Sequence, residues 1–361
     1  MGTASDGATR SAKRRRSAPP TDLEQHPTCY LCLGGAGRVT RSGVGAELLH
    51  GGCACRGSAG HGHLRCFIEA ATHNWEGWFR CPTCGQRFTG VVLLGLARGC
   101  WALQAGKPAN DRDKLFAQDL LAQALMEAGR YDEALPLFRA VLAVERRVAG
   151  DEGTETLASM NNLAALLATK GDRKAAESLF REGLKVVRRT LGSDHQRTLS
   201  SISNLGALLR EMSQFEEARQ LLEEAVAGRR RTQGDTHVET LNCIDKLASL
   251  HHDQGDFVLA EPLDREALAG RRLALGARHP NTLRSLHNLA TLLREKDELR
   301  EAETLAKEAF QGRRAVLPPG HPHIKNSIEL LADIRKAIAT GEGEYAAEEA
   351  THAAEEHEER P

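Results

Sequence analysis

The chain has 361 residues, of which 41% are hydrophobic and 4% are aromatic. This length and apolar content allow two or three domains. The 48 basic and 49 acidic residues nearly cancel, which excludes a general electrostatic attraction of the whole protein to nucleic acid or anionic membranes. The most apolar stretch, residues 91–105, contains Arg98 and falls short of a membrane span, which needs about 20 apolar residues. We therefore expect a soluble protein with neither a membrane nor nucleic acid as a partner.

Residues 1–26 are rich in small, polar and basic residues and show no apolar periodicity. This composition predicts a disordered basic leader. The basic run from Lys13 to Arg16 is either a nuclear import signal or part of a solvated tail. Because no apolar signal-peptide core follows Met1, we expect an intracellular, cytoplasmic protein. The nucleus is the alternative compartment.

Residues 27–90 contain eight side chains of the types that bind zinc, arranged as four pairs. The pairs are Cys29 with Cys32, Cys53 with Cys55, His63 with Cys66, and Cys81 with Cys84. Zinc takes four such ligands in a tetrahedron, so eight ligands predict two Zn²⁺ ions. We expect the first and third pairs to hold one ion and the second and fourth pairs to hold the other. Both ions are then four-coordinate and structural, because hydrolytic zinc needs an open position.

The spacing of these ligands resembles the RING-CH finger, the C4HC3 variant of the membrane-associated RING-CH ubiquitin ligases. The resemblance rests on the single residue between Cys53 and Cys55 and on the seven residues between Cys55 and His63. The stretch CACRGSAGHGHLRC at 53–66 also looks like that family. A PHD finger has the same ligand order with a shorter gap before its histidine and a wider third pair. It is the alternative for this segment.

The RING-CH resemblance implies that the finger recruits a ubiquitin-charged E2 enzyme and promotes ubiquitin transfer without a covalent intermediate. The E2-binding surface that it implies includes Leu31, Trp78 and Pro82. The alternative is that these residues only pack the finger. Gly85 follows the last ligand, at a position where many active RING fingers carry a basic residue.

Residues 91–111 are expected to connect the finger to a repeat region at 112–338. The period of the repeat is 42 residues, as three sets show: Leu121, Leu163, Leu205, Leu247, Leu289 and Leu331; Ala134, Ala176, Ala218, Ala260 and Ala302; His195, His237, His279 and His321. A fixed period of this length predicts a solenoid of stacked units. Each unit has two apolar-periodic segments, such as 156–171 and 172–189, and ends near a glycine suited to a helix C-cap. We count five units, a final helix at 322–338 and an acidic tail at 339–361.

The repeats resemble the kinesin-light-chain type of tetratricopeptide repeat in the stretches LGARHPNTL at 275–283 and RSLHNLATLL at 284–293. The resemblance implies a right-handed superhelix whose first helices line a concave groove for a protein or peptide ligand. Asn162, Asn204, Lys246 and Asn288 share one position of the first helix. They either grip an extended peptide in that groove or steady neighbouring helices by local hydrogen bonds.

Three further sets have structural interpretations. The repeated histidines are expected to fix the loop between units. Arg146 and its equivalents at the 42-residue step are expected to interact with helix C-termini. Cys100 and Cys243, which lie outside the ligand cluster, are expected to be small core residues.

The sequence therefore predicts a small two-zinc cross-brace RING-CH finger followed by an all-α tetratricopeptide-repeat superhelix. The corresponding function is an E3 ubiquitin ligase that recruits an E2 enzyme through the finger and a substrate or partner through the repeats. The alternative is a non-catalytic protein-interaction adaptor whose zinc finger is structural. A PHD-type chromatin reader is a third hypothesis.

Overall fold

The computed structural model describes residues 48–50, 61–81, 87–317 and 321–358, without the side chains of 48–50, 61–63, Arg65 and 342–358. The predicted leader and most of the predicted finger lie outside the described residues. Within them, the strands are β1 (Leu48–His50) and β2 (His61–His63), and a 3-10 helix spans Trp75–Trp78. The helices are α1 (Leu64–His73), α2 (Gly90–Gln104), α3 (Arg112–Glu127), α4 (Tyr131–Ala149), α5 (Thr154–Thr169), α6 (Arg173–Leu191), α7 (Gln196–Glu211), α8 (Phe215–Gln233), α9 (Val238–Asp253), α10 (Phe257–Leu275), α11 (Pro280–Glu295), α12 (Leu299–Val316) and α13 (Pro322–Glu358).

The described residues before the repeats share a hydrophobic core with the first units. β1 pairs antiparallel with β2, with Leu48 opposite His63, and α1 follows directly. Phe67 and Trp78 are 5% and 3% exposed and belong to the same buried cluster as the leucines of the first repeats. The N-terminal segment is therefore attached to the solenoid by packing rather than by a free linker.

The segment at 91–111, which was expected to be a connector, contains the buried helix α2. Its Val92, Leu93 and Leu96 side chains are fully buried, and the helix packs against α1 and α3. At Gly95 the helices α1 and α2 approach so closely that a Cβ atom would lie 2.5 Å from Leu64 Cδ1. One face of α2 is buried in this way, whereas Val91, Arg98 and Leu103 are exposed. The helix joins the N-terminal segment to the repeats.

Aromatic contacts strengthen the same junction. The ring centroids of Trp75 and Phe116 lie 4.2 Å apart, and those of Phe79 and Phe116 lie 6.0 Å apart. The Arg87 guanidinium then donates to Gln123 Oε1 at 2.9 Å on the same helix, α3. The 3-10 helix and Arg87, which forms an antiparallel bridge with Arg80, are thereby held against the first repeat.

Five helical hairpins form the repeat region, as the 42-residue period predicts. They are α3 with α4, α5 with α6, α7 with α8, α9 with α10, and α11 with α12. Each second helix also packs against the first helix of the next unit. None of the helices in the described part of the chain is both long and apolar enough to cross a membrane.

The loop between units explains the repeated glycine, histidine and threonine. In the loop before α11, Gly276 ends α10 with φ +84°, and His279 caps α11 by accepting from the Asn281 N–H at 3.2 Å on Nδ1. The Thr282 hydroxyl donates back to the Gly276 carbonyl at 2.8 Å. The loops before α7 and α9 repeat this arrangement. The histidines therefore fix the inter-unit loops, as expected.

The turn inside each hairpin requires a residue with positive φ. Glycine occupies it in three units, at Gly129, Gly171 and Gly255, whereas Ser213 and Asp297 adopt φ values of 59° and 64° in the others. This conformation costs a non-glycine residue about 1–2 kcal/mol. Replacing such a residue by glycine removes that cost, but the greater freedom of glycine in the unfolded chain offsets part of the stability gained.

We therefore expect Ser213→Gly to raise the free energy of unfolding by about 0.5–1 kcal/mol, measured by urea denaturation. The matched control is Gly171→Ser, which should lower it. A glycine at position 213 that leaves stability unchanged or reduced would contradict the strain argument.

The final helix, α13, closes the solenoid. Ile334 is fully buried and Leu330 and Leu331 are nearly so, because this face packs against α12 and α11. The predicted helix at 322–338 is thus present, and its backbone continues in helical conformation to Glu358. The acidic residues from 342 to 358 extend this cap helix.

Candidate functional site: a groove along the first helices

A cavity of about 660 Å³ lies along the first helices of the middle units. It is lined by α5, α7, α9 and α11, with Arg229 contributed by α8. The side chains on which the argument depends are Ser203, Asn204, Asp245, Lys246, Arg284 and Asn288. The lining is mainly polar, so the cavity suits a ligand that brings hydrogen-bonding or charged groups.

Three of the four predicted groove residues hydrogen-bond to the preceding first helix. Asn162 donates to Asp119 Oδ1 at 3.1 Å, and Asn204 donates to Asn161 Oδ1 at 2.9 Å. The Lys246 ammonium lies 3.0 Å from Asn204 Oδ1. These contacts are the local hydrogen bonds that the sequence left as an alternative. Asn204 and Lys246 also line the cavity, whereas Asn162 lies outside its described lining.

Asn288 departs from this pattern. The carboxylate that stands at the corresponding place on the preceding helix is Asp245, and it is already held by Arg271 at 2.6 Å and Arg284 at 3.1 Å. Among the described residues, the Asn288 amide has no hydrogen-bond partner, yet it lines the cavity. Its amide is therefore available to a ligand.

Asp245 and Arg271 form a buried ion pair beneath the groove. Arg271 is fully buried and Asp245 is 6% exposed. The guanidinium also donates to Ser285 Oγ and, at 2.9 Å, to Asn242 Oδ1. Sequence reasoning missed this pair, because the residue at this repeat position varies from unit to unit. The 42-residue equivalents of Asp245 are Asp119, Asn161, Ser203, His287 and Glu329.

A second buried carboxylate lies close to this pair. Asp264 of α10 is 6% exposed, and burial raises its pKa to about 7, with a further contribution from the Asp245 charge and an opposing one from Arg271. Loss of water disfavours the charged form of any carboxyl group. Asp264 therefore titrates near neutral pH.

The cavity is cationic around Lys246. Burial lowers the pKa of the Lys246 ammonium, because removing water disfavours its charge. Its hydrogen-bond partners are neutral oxygens of Ser203 and Asn204. Arg229, which is 2% exposed, adds a second positive charge to the lining.

The repeated arginines lie in the last turn of the second helices, as predicted, and they also pair with the next unit. Arg146 Nη2 lies 2.6 Å from Glu182 Oε1. The same 36-residue step recurs for Arg188, Arg230 and Arg272. These pairs are partly exposed, so each contributes about 0–1 kcal/mol. No ligand is needed to account for them.

The predicted zinc ligands are only partly described. Cys29, Cys32, Cys53, Cys55 and Cys84 lie outside the described residues, and His63 is described by its backbone at the end of β2. Cys66 lies half-buried in α1, and Cys81 is 2% exposed. Within the described part of the chain, no group of three or more His, Cys, Asp and Glu side chains could hold a metal ion.

Of the three predicted E2-binding residues, the structure describes Trp78. Leu31 and Pro82 lie outside the described residues. The Trp78 side chain is 3% exposed and belongs to the hydrophobic core. Trp78 therefore packs this core, and the assignment of Leu31, Trp78 and Pro82 to E2 binding stays a prediction.

The two cysteines outside the ligand cluster are core residues, as expected. Cys100 is fully buried in α2, and burial raises the pKa of its thiol to about 11. The thiol therefore stays neutral at physiological pH. Cys243 is 3% exposed and belongs to the core below the groove.

Several solved structures are similar to this chain. The nearly identical TPR-like repeats of a Podosopora anserina kinesin light chain are 26% identical, covering 57% of this chain and 97% of that one, with a TM-score of 0.48. BtubC (BKLC) from P. vanneervenii is 17% identical over 70% of this chain and 91% of its own, with a TM-score of 0.50. A Rap protein complexed with competence and sporulation factor is 9% identical over 80% and 87%, with a TM-score of 0.56. No curated protein matches the sequence.

The sequence also matches a repeat family directly. The tetratricopeptide repeat matches residues 115–189, 175–231, 197–272 and 239–315. Together these matches span 115–315, more than half of the chain, and they coincide with the five hairpins. The prediction of tetratricopeptide repeats is confirmed, and the chain belongs to the tetratricopeptide repeat family.

Proposed function

We propose that the protein is an interaction adaptor whose repeat groove binds an extended segment of a partner protein. The observation that carries this proposal is the cavity of about 660 Å³ along α5, α7, α9 and α11, with an Asn288 amide in its wall that has no partner among the described residues. An asparagine amide both donates and accepts, so it can satisfy one peptide group of an extended chain. The Rap protein that shares this fold is complexed with competence and sporulation factor.

Two asparagines at the same repeat position give a matched test. Peptides that bind the wild-type chain are first selected from a phage-displayed random library. Asn288→Ala removes an amide with no internal partner in the described structure, so we expect affinity to fall about tenfold with no change in stability. Asn162→Ala breaks the bond to Asp119 outside the cavity lining, so it should lower stability by about 1 kcal/mol and leave affinity unchanged.

The comparison of these two variants decides the proposal. Peptide affinities would be measured by fluorescence anisotropy, and stabilities by urea denaturation. If the library yields no binder, or if both variants bind the selected peptides as tightly as the wild type, the groove does not bind extended segments.

A second function is supported by the spacing of the N-terminal cysteines. We propose that the eight ligands hold two structural zinc ions and that the finger acts as a RING-CH-type E3 ubiquitin ligase. The donor set of seven thiols and one imidazole fits zinc, which prefers sulfur and nitrogen ligands. Zinc would supply the folding energy that a small glycine-rich segment lacks. A reducing compartment, such as the cytoplasm or the nucleus, fits cysteine thiolates that bind zinc and do not form disulfides.

The zinc and ligase proposals have separate tests. Native mass spectrometry of the full chain should show two zinc ions, and Cys81→Ser should reduce that number; a single ion in the wild type would contradict the crossed pairing. Autoubiquitination is then compared across a panel of E2 enzymes for the wild type, Leu31→Ala and Cys81→Ser. Loss of activity in both variants supports the ligase. If the wild-type protein is inactive with every E2 enzyme, the ligase proposal is wrong and only the adaptor proposal remains.

A further inference from the structure

Three buried arginines occupy one repeat position and differ in what faces them. Arg229, Arg271 and Arg313 lie 42 residues apart on α8, α10 and α12, and each is 5% exposed or less. At the corresponding place on the first helix of the same unit, the chain carries Ser203, Asp245 and His287, respectively. Only the middle arginine therefore has an internal carboxylate at this position.

Arg271 is the member of the set whose charge is balanced by a carboxylate, although its Nε–H, like that of Arg229, is buried without an acceptor. Its guanidinium lies 2.6 Å from Asp245, so the buried positive charge is balanced within the protein. A buried charge that lacks a counter-charge carries a desolvation penalty that nothing offsets. Asp245 thus supplies the counter-charge for Arg271, whereas the described partners of Arg313 are the neutral His323 carbonyl and Ser327 Oγ.

Arg229 has only neutral acceptors. It donates to the Gln196 carbonyl at 2.9 Å, to Ser200 Oγ at 2.6 Å and to Gln233 Oε1 at 3.0 Å. Within the described part of the chain it makes no ion pair, and its Nε–H is buried without an acceptor. Arg229 also lines the cavity, so a charge from outside the chain can reach it.

The other charged residues of the cavity lining form no ion pair with Arg229 or Lys246 in the described structure. Arg284 pairs with Asp245, and Arg210 lies 3.6 Å from Asp253. The remaining carboxylate of the lining, Glu239, is exposed, and its charge acts to raise the pKa of Lys246 against the larger effect of burial. It forms no ion pair with Arg229 or Lys246 in the described structure. Among the described lining residues, Arg229 and Lys246 are therefore the cations that no carboxylate contacts as an ion pair.

We propose that the cavity binds a carboxylate side chain, Asp or Glu, of the bound segment between Arg229 and Lys246. Beside Arg271 the carboxylate is that of Asp245, whereas the equivalent residue in the unit of Arg229 is Ser203, which carries no charge. The ligand carboxylate supplies this missing negative charge beside Arg229. This inference rests on the proposed groove function and adds the chemistry of one contact. It assigns an acidic residue to the partner segment.

The test uses small molecules as probes, so that binding to the cavity is measured without a partner protein. The full chain, labelled with ¹⁵N, is titrated with N-acetylglutamate amide, and the arginine Nε–H resonances are followed by NMR. The neutral control is N-acetylglutamine amide, and inorganic phosphate is the alternative anion. We expect saturable shifts with the glutamate probe, with a dissociation constant on the order of millimolar, and no saturable shift with the glutamine probe.

Two substitutions remove the site while preserving the fold. Ser203→Asp supplies Arg229 with an internal carboxylate, as in the next unit, and should weaken the glutamate probe at least about tenfold without loss of thermal stability. Lys246→Asn restores the asparagine found at 162, 204 and 288 and should also weaken it. Arg181→Gln, on the exposed pair with Glu217, is the control and should not.

The outcomes separate this inference from the groove proposal. Equal response to the glutamate and glutamine probes, saturable binding of phosphate alone, or unchanged binding in Ser203→Asp and Lys246→Asn would each overturn the carboxylate site. The peptides selected for the Asn288 test would still report on the groove. If those peptides fail while the glutamate probe binds, the groove proposal falls and the anion site stands.

Discussion

Asp245→Ala should lower the free energy of unfolding by about 3 kcal/mol, near the lower end of the range for breaking a buried ion pair. The substitution leaves the fully buried Arg271 without the carboxylate that lies 2.6 Å away. Asp264 is close enough to interact with Arg271, so its ionised form offsets part of the loss. Urea denaturation of the wild type and the variant at pH 8 measures the difference.

A control and a double variant make this prediction specific. Asp253 lies on the same helix and pairs loosely with Arg210 at 3.6 Å, so Asp253→Ala should cost less than about 1 kcal/mol. Asp245→Ala combined with Arg271→Met removes both charges, and it should recover much of the lost stability. A cost for Asp245→Ala no larger than that of Asp253→Ala would show that the buried pair does not stabilise the fold.

The repetitive features of the fold follow from the sequence. The 42-residue period predicts the five hairpins, because each unit repeats the same apolar positions and the same loop. Gly276, His279 and Thr282 show why: one residue ends a helix, one caps the next and one ties the loop together. Such local interactions depend on residues at fixed short spacing, so a single sequence reveals them.

The features that distinguish one unit from another were not predictable in this way. Asp245 replaces a serine of the preceding unit, and only the packing of α9 against α10 shows that its partner is Arg271. Because Asp245 pairs with Arg271, it does not accept a hydrogen bond from Asn288, whereas Asn162 and Asn204 each donate to the preceding first helix. The burial of Trp78 likewise depends on how α2 docks, and no periodic signal predicts that contact.

Asp264→Asn should stabilise the protein at pH 8 by up to about 4 kcal/mol. Burial and the neighbouring Asp245 raise the folded-state pKa of Asp264 from 3.8 to about 7. The folded state therefore holds this proton more tightly than the unfolded state does. Stability from this group is greatest below pH 3.8, falls as the pH rises from 3.8 to about 7, and is constant above that. Asparagine is neutral at every pH and avoids the loss.

The pH dependence distinguishes this effect from a general improvement in packing. Urea denaturation from pH 4 to pH 8 should show little gain for Asp264→Asn at pH 4 and the full gain at pH 8. Asp256→Asn is the matched control, because Asp256 caps α10 by accepting from the Leu259 N–H at 3.2 Å and asparagine caps helices equally well. In an Asp245→Ala background the gain should shrink, since removing that charge lowers the pKa of Asp264. A gain that is the same at pH 4 and pH 8 would mean that the Asp264 carboxyl is not the titrating group.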